Sequence, residues 1–257
     1  MSFSRQDGRQ PLELRPLDIE RQVNCHAEGS ALITLGRTRV LCTATVEEKV
    51  PPHLRGAGSG WVTAEYAMLP RATGSRMSRE TSGVRGRSAE IQRLIGRSLR
   101  AVTVLPLLGE RTVILDCDVL QADGGTRTAA ISGAFVALMD ALRALRRDGV
   151  LRCLPLRDFL GAVSVGRVNG EVLLDLAYAE DSDAEVDCNV VMTREGSLVE
   201  VQASGEEELF SRSDMEHFLD AATQGVRRVV EEQERVLALT AEEWNSLHVV
   251  ADRLRLP

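Results

Sequence analysis

The sequence predicts an α+β protein of two similar lobes, because a run of short strands gives way to helix twice along the chain. Two dipeptides mark tight hairpins within those runs, Gly36-Arg37 in the first half and Asn169-Gly170 in the second. With 257 residues, 44% of them hydrophobic, the chain is long enough to bury a sizeable core and fold unaided. The lobes are expected over residues 1–155 and 156–257, with no long linker between them and one compact unit as the result.

Each element follows from a local pattern. Residues 1–28 are polar, carry two prolines and read as an extended arm. Ser30–Leu35 and Thr38–Thr45 are rich in Ile, Val, Thr and Leu and form the first hairpin, and Trp61–Met68 is a third strand. From Pro70 to Ser88 no periodicity holds, and the Gly, Ser and Arg content describes a surface loop. In the helix that follows, Ile91, Leu94, Ile95, Leu99 and Val102 share one face and Arg93, Arg97 and Arg100 another. Along Arg111–Gln121, Val113, Leu115, Cys117 and Val119 point one way, while Asp116 and Asp118 point the other. Ala122–Gly125 breaks this strand, and a helix runs from near Thr126 to about Arg147, with Gly149 as its stop. The second half supplies strands Leu160–Val168, Glu171–Leu176, Glu185–Thr193 and Leu198–Ala203. Two helices close the chain, their starts expected at the capping boxes Ser213/Glu216 and Thr240/Glu243.

Composition narrows the function classes. A net charge of -7 argues against a nucleic-acid partner when averaged over the chain. The average conceals a division: residues 55–100 hold nine arginines against three carboxylates, a local +6, which leaves -13 for the rest. Lys49 is the only lysine among thirty-one cations, a bias that base composition explains for most positions. The five cysteines are widely spaced with no CxxC, and read as mostly buried free thiols of a reducing compartment. Neither a signal-peptide core nor a membrane-length apolar run is visible, so the expectation is a soluble, cytoplasmic protein with no membrane partner.

Two constellations could carry chemistry. Asp116–Thr128, DCDVLQADGGTRT, is a strand that ends in a glycine turn and feeds directly into a helix. A helix start exposes unpaired N–H groups, glycines let an anion approach them, and Thr126 and Arg127 add directed donors. The reading is phosphate binding or an ordinary strand-to-helix turn, since no Walker or GxGxxG pattern occurs. Arg87, at the end of the loop, could turn toward the same anion or simply be solvated. The second constellation is Glu180, Asp181, Asp183, Glu185 and Asp187, which is either a solvated turn or a site where Asp181 and Asp187 converge on a hard cation such as Mg²⁺. In that strand Asp187 and Asn189 face opposite to the apolar Val186, Cys188, Val190 and Met192. The four histidines are scattered, which leaves Ser-His-Asp, Cys-His and zinc sites without support, and no general base accompanies the turn.

DCDVLQADGGTRTAAISGAFVAL, GRSAEIQRLIGRSLRAV, DGRQPLELRPLDIE and EDSDAEVDCNVVMT together resemble the ribonuclease PH family over about residues 5–240. That resemblance implies a ribosomal-protein-S5-like βαβα fold with a C-terminal α/β lobe, assembled as a homohexamer, a trimer of dimers. It implies phosphorolysis: inorganic phosphate removes 3′-terminal nucleotides from RNA, notably tRNA precursors, as nucleoside 5′-diphosphates, and the reaction can run backwards. Carried over by motif, the phosphate site falls on Arg87, Gly125, Thr126 and Arg127, and the catalytic, Mg²⁺- or Mn²⁺-binding carboxylates on Asp181 and Asp187. Arg71, Arg76 and Arg79 correspond to a basic loop that guides RNA. Related polynucleotide phosphorylases place lysine where this chain has Asn189, and the resemblance does not map the segment after about residue 239, whose amphipathic helix is expected to pack on the C-terminal lobe. The competing expectations are a non-catalytic ring subunit and a small-molecule phosphotransferase, the latter with no need of an arginine loop.

Overall fold

The structure, a computed structural model, describes residues 5–79 and 86–254, with side chains as far as residue 247. The first sheet contains β1 (Leu17–Arg21), β2 (Gly29–Leu35), β3 (Thr38–Glu47), β4 (Trp61–Met68) and, after helices α1 (Gly86–Val102) and α2 (Leu105–Leu108), β5 (Thr112–Gln121). Its order is β1-β2-β3-β5-β4. All neighbours are antiparallel except β4 and β5, which run parallel because α1 carries the chain back across the sheet. The arm therefore contributes an edge strand that its polar composition concealed.

Helix α3 (Thr126–Arg147) follows β5. By length and hydropathy it is the one helix among the described residues able to cross a membrane, yet 89% of its most apolar window is buried inside the fold. It packs on β2, β3 and β5 and also reaches the second sheet, formed by β6 (Leu160–Val168), β7 (Glu171–Leu174), β8 (Val186–Thr193) and β9 (Leu198–Gly205) in the order β7-β6-β8-β9. Asn169 and Gly170, both at positive φ, close the β6–β7 hairpin as their sequence requires. Between β7 and β8 lies the short helix α4 (Tyr178–Ser182). Helix α5 (Arg212–Leu237) covers β6, and Gln233 ties the layers together by donating to Ser132 O of α3 at 3.0 Å and Leu160 O of β6 at 2.9 Å. One apolar core runs through both sheets, from Ile33 and Leu115 to Val163 and Val226.

Local signals placed some helix ends and misplaced one. The Thr240/Glu243 box starts α6 (Ala241–Leu254), with Thr240 N donating to Glu243 Oε2 at 2.9 Å and Glu243 N to Thr240 Oγ1 at 3.2 Å. Gly149 ends α3, with its N–H on Arg146 O and that of Val150 on Leu145 O. The expected Ser213/Glu216 box does not form. Ser211 caps α5 two residues earlier, accepting from Asp214 N at 3.1 Å while Asp214 Oδ2 accepts from Ser211 N at 2.7 Å, so Ser213 lies inside the first turn. Cys42, Cys117 and Cys188 are buried thiols, whereas Cys25 is exposed and Cys153 half-buried; all five are unbridged. Trp244 of α6 stacks on Phe159 in the core, at 5.4 Å between ring centroids, which gives the unmapped C-terminal segment a packing role.

The N-terminal arm is held by buried ion pairs. Arg5 meets Glu180 of α4 in two-point fashion, Nε to Oε1 and Nη2 to Oε2 both at 2.7 Å, and also donates to the carbonyls of Leu174 and Asp175. Removing one partner of a buried pair leaves the other charge without compensation. Arg5→Ala is expected to lower the unfolding free energy by about 3 kcal/mol, read from the midpoint and slope of urea denaturation.

Candidate active site

The strand β5 ends at Gln121, and Ala122–Gly125 delivers the chain to α3 through two glycines at φ +74° and +65°. Both lie in the left-handed region that side chains disfavour. Gly124 is required for space as well: a Cβ there would lie 2.3 Å from Leu176 O and 2.9 Å from Ala177 C. The turn is thus pressed against the backbone entering α4, which brings the two lobes together at this point. Its carbonyls are held from behind, Asp123 O by Arg15 Nη1 and Gly124 O by Thr38 Oγ1 at 2.7 Å, while Asp123 N donates to Thr38 Oγ1 at 2.9 Å. Arg15 is itself fixed by Asp175, Nε to Oδ2 at 2.9 Å and Nη2 to Oδ1 at 2.6 Å. The first turn of α3 is left with N–H groups that have no partner within the helix.

The facing wall comes from α4 and β8. Glu180, buried under Arg5, accepts from Ala177 N at 2.9 Å and so pins the start of α4. Asp181, one residue on, faces the opening instead. Across from it Asp187 and Asn189 project from β8, and Asn189 Nδ2 donates to Asp187 Oδ2 at 3.1 Å. Together these elements line a cleft of about 860 Å³ that contains Arg87, Gly125, Thr126, Arg127, Asp181 and Asp187. Ser164, Tyr178 and Glu206 join the same lining.

Electrostatics divide the cleft into two parts. Arg87 and Arg127 form the cationic side, with Arg127 also within 3.9 Å of Glu90 and donating to Gln202 Oε1 at 3.3 Å. On the acidic side, burial pushes Asp181 above the usual carboxylate range, and the two arginines pull it partly back. Asp187 is pushed from 3.8 up to about 6, first by desolvation and then by the neighbouring Asp181. Two carboxylates held at a cost in one desolvated corner suit a hard cation. Mg²⁺ in particular is bound by one or two carboxylates and completes its shell with water and phosphate oxygens, so the absence of any group of three acidic, His or Cys ligands among the described residues is compatible with this donor set.

The arginines expected to guide RNA are placed differently from the rest. Arg71, Arg76 and Arg79 are exposed beside the cleft, and Arg71 donates to Gly74 O of its own loop at 3.1 Å. Thr73, Gly74, Ser75 and Met77 of that loop form the rim, while residues 80–85 lie outside the described portion. Sequence reasoning missed Tyr66, Arg15, Asp175 and Thr38. Tyr66 alternates with its strand neighbours as a core residue would, and the other three act through partners distant in sequence.

Residues 13–143 match the model described as 3′ exoribonuclease family, domain 1, and residues 158–225 match domain 2. The chain belongs to the 3′ exoribonuclease family. Among relatives in this family, the ribonuclease PH of Moorella thermoacetica is 58% identical over 235 residues, covering 91% of this chain and 94% of the relative. The ribonuclease PH of Bacillus velezensis is 54% identical over 242 residues, 93% and 99% of the two chains. In structure, the Archaeoglobus fulgidus exosome with RNA bound to its active site matches at a TM-score of 0.77 and 25% identity, over 89% of this chain and 92% of the other. An archaeal exosome core shares the fold at a TM-score of 0.73 and 24% identity, over 90% and 91%.

Asp187 holds its proton more tightly in the folded protein than its ordinary value of 3.8 allows, so its contribution to stability is present at low pH and lost as pH rises through about 6. In buffer without divalent cations, Asp187→Asn is expected to be more stable than the parent by about 3 kcal/mol near pH 8. Near pH 4 the difference should disappear, and parallel denaturant titrations at the two pH values measure it.

Proposed function

We propose that the cleft between the α3 turn and the Asp181/Asp187 pair is the site of RNA phosphorolysis. The chain is a phosphate-dependent 3′ exoribonuclease, a function carried by its family domains and by ribonuclease PH relatives above 50% identity over most of its length. The observation that supports this location is the meeting, in one cleft, of an anion-binding helix start flanked by Arg87 and Arg127 with a desolvated carboxylate pair.

In this reading the N–H groups of the turn, the Thr126 hydroxyl and the guanidinium groups of Arg87 and Arg127 hold inorganic phosphate and orient it for in-line attack on the last phosphodiester. An oxygen of HPO₄²⁻ forms a bond to that phosphorus while the bond to the preceding 3′ oxygen breaks. The proton of the attacking phosphate ends on the new 3′ hydroxyl, and the nucleotide leaves as a 5′-diphosphate. Charge and protons balance without a net base, in keeping with a cleft in which no histidine lines the wall among the described residues. Asp181 and Asp187 would hold Mg²⁺ or Mn²⁺, whose chemistry there is to neutralise charge on the scissile phosphate and the departing oxygen. Asn189 keeps the Asp187 carboxylate turned to the same corner. Because a diphosphate product retains the bond energy, nucleotide addition dominates when nucleoside diphosphate is in excess.

RNA is the substrate, and the 3′ ends of tRNA precursors are the proposed physiological targets. Arg71, Arg76 and Arg79, exposed at the rim, would steer the strand by its phosphates. A cytoplasmic homohexamer, a trimer of dimers, is the proposed assembly, in keeping with the exosome cores that share the fold. Retention of both arginines, the glycine turn and both aspartates favours a catalyst over a scaffold subunit.

Incubation with 3′-extended tRNA precursor and Mg²⁺ is expected to release nucleoside diphosphates only when phosphate is supplied. Release of nucleoside monophosphates in phosphate-free buffer would overturn the mechanism. Arg127→Ala is expected to cut phosphorolysis by about 100-fold, read from diphosphate release at saturating RNA.

A further inference from the structure

Thr126 opens α3 and lines the cleft, yet its side chain is 7% exposed as a residue and its hydroxyl meets a phenol from another element. Tyr66 stands on β4, opposite Cys117 of β5, and is 3% exposed. Its hydroxyl lies 2.9 Å from Thr126 Oγ1. Among the described residues the phenol has no other hydrogen-bond partner, so the direction of this bond follows from donor counting. A phenol carries one proton and is a better donor than an aliphatic alcohol. Were Thr126 to donate instead, the Tyr66 proton would be buried with no acceptor, a loss comparable to a whole hydrogen bond. Burial also pushes the Tyr66 phenol above its ordinary range, which favours the protonated, donating form.

The consequence reaches the cleft. Once Oγ1 accepts from Tyr66, the Thr126 proton is directed away from the phenol, and no acceptor for it is present among the described residues. Arg87 and Arg127 both act on the Tyr66 hydroxyl electrostatically, which places this bond at the cationic side of the site.

We infer that Tyr66 is a positioning residue for phosphate: it fixes the Thr126 hydroxyl as a donor aimed at the attacking anion, an assignment that rests on the phosphate site described above. Without the phenol, Thr126 Oγ1 would be free to rotate, and some of its orientations would present a lone pair to phosphate. The inference concerns co-substrate binding and leaves the RNA path untouched.

Steady-state kinetics on the full-length protein separate this from a packing role, with phosphate and tRNA precursor varied in turn. Tyr66→Phe keeps the ring in the core and is expected to raise the phosphate KM about tenfold while the RNA KM stays at the parent value. Thr126→Val keeps the volume and is expected to raise the phosphate KM at least as much. The double variant should be no worse than Thr126→Val alone, because Tyr66 acts through that hydroxyl. An unchanged phosphate KM in Tyr66→Phe, an equal rise in the RNA KM, or effects that multiply in the double variant would each overturn the inference. Should Tyr66→Phe fail to fold, Thr126→Val decides alone, since an unchanged phosphate KM there refutes the donor role. Arg127→Ala distinguishes the two levels: full phosphorolysis in that variant would refute the phosphate site itself rather than the role of Tyr66.

Discussion

The buried contact of Arg15 with Asp175 sets the geometry on which the rest of the site depends. Arg15 belongs to the N-terminal arm, Asp175 to the segment between β7 and α4, and the guanidinium also reaches the carbonyls of Asp123 and Gly124 in the turn. One side chain therefore ties three distant stretches of chain. Burying such a pair is costly unless its remaining hydrogen-bonding capacity is used. Here it is used: Asp175 Oδ2 also accepts from Arg15 N at 2.9 Å, and although burial works to lower the Arg15 guanidinium, the hydrogen bond and charge of Asp175, with Asp123 and Glu180, hold it above its ordinary value. Arg5 repeats the arrangement one step along with Glu180, so the start of α4 and the glycine turn are located by the same arm.

That bracing explains how opposite charges can share the cleft without collapsing onto each other. Arg87 and Arg127 are held on α1 and α3, Asp181 on α4 and Asp187 on β8; α1, α3 and β8 are fixed by packing elsewhere, and α4 by the Arg5–Glu180 pair. The carboxylates are left with raised proton affinity and the arginines with donors unspent on them. A site of this kind presents donors for an anion at one end and carboxylates for a cation at the other. The net charge of -7 hid this polarity, which emerges once the arginine-rich residues 55–100 are counted apart from the acidic remainder.

Local chemistry was legible in the sequence and long-range chemistry was not. The hairpins at Gly36-Arg37 and Asn169-Gly170, the strand Trp61–Met68 and the helix Thr126–Arg147 could be read from turn residues and periodicity, which act over a few positions. Strand β1 was missed because its pairing with β2 comes from tertiary context, and α4 because five residues carry no period. The α5 cap was misplaced by two residues because Ser211/Asp214 and Ser213/Glu216 offer the same chemistry, and the backbone turns extended only at Ser211. Within the cleft, the glycine turn and the two aspartates were visible as motifs. Arg15 and Tyr66 were not, since their partners lie 160 and 60 positions away and nothing nearby announces them.

Helix α3 touches both sheets and is almost entirely enclosed. Neither lobe can come apart without exposing it, so the enzyme lacks a half that could melt while the other stays intact. Amide protons along its middle are therefore expected to exchange with solvent only through global opening. The start of the same helix is the turn proposed to hold phosphate, which couples the integrity of the proposed site to the cooperativity of the whole chain. On that proposal, a co-substrate bound at that end would protect residues in both sheets from exchange, including those that never approach it.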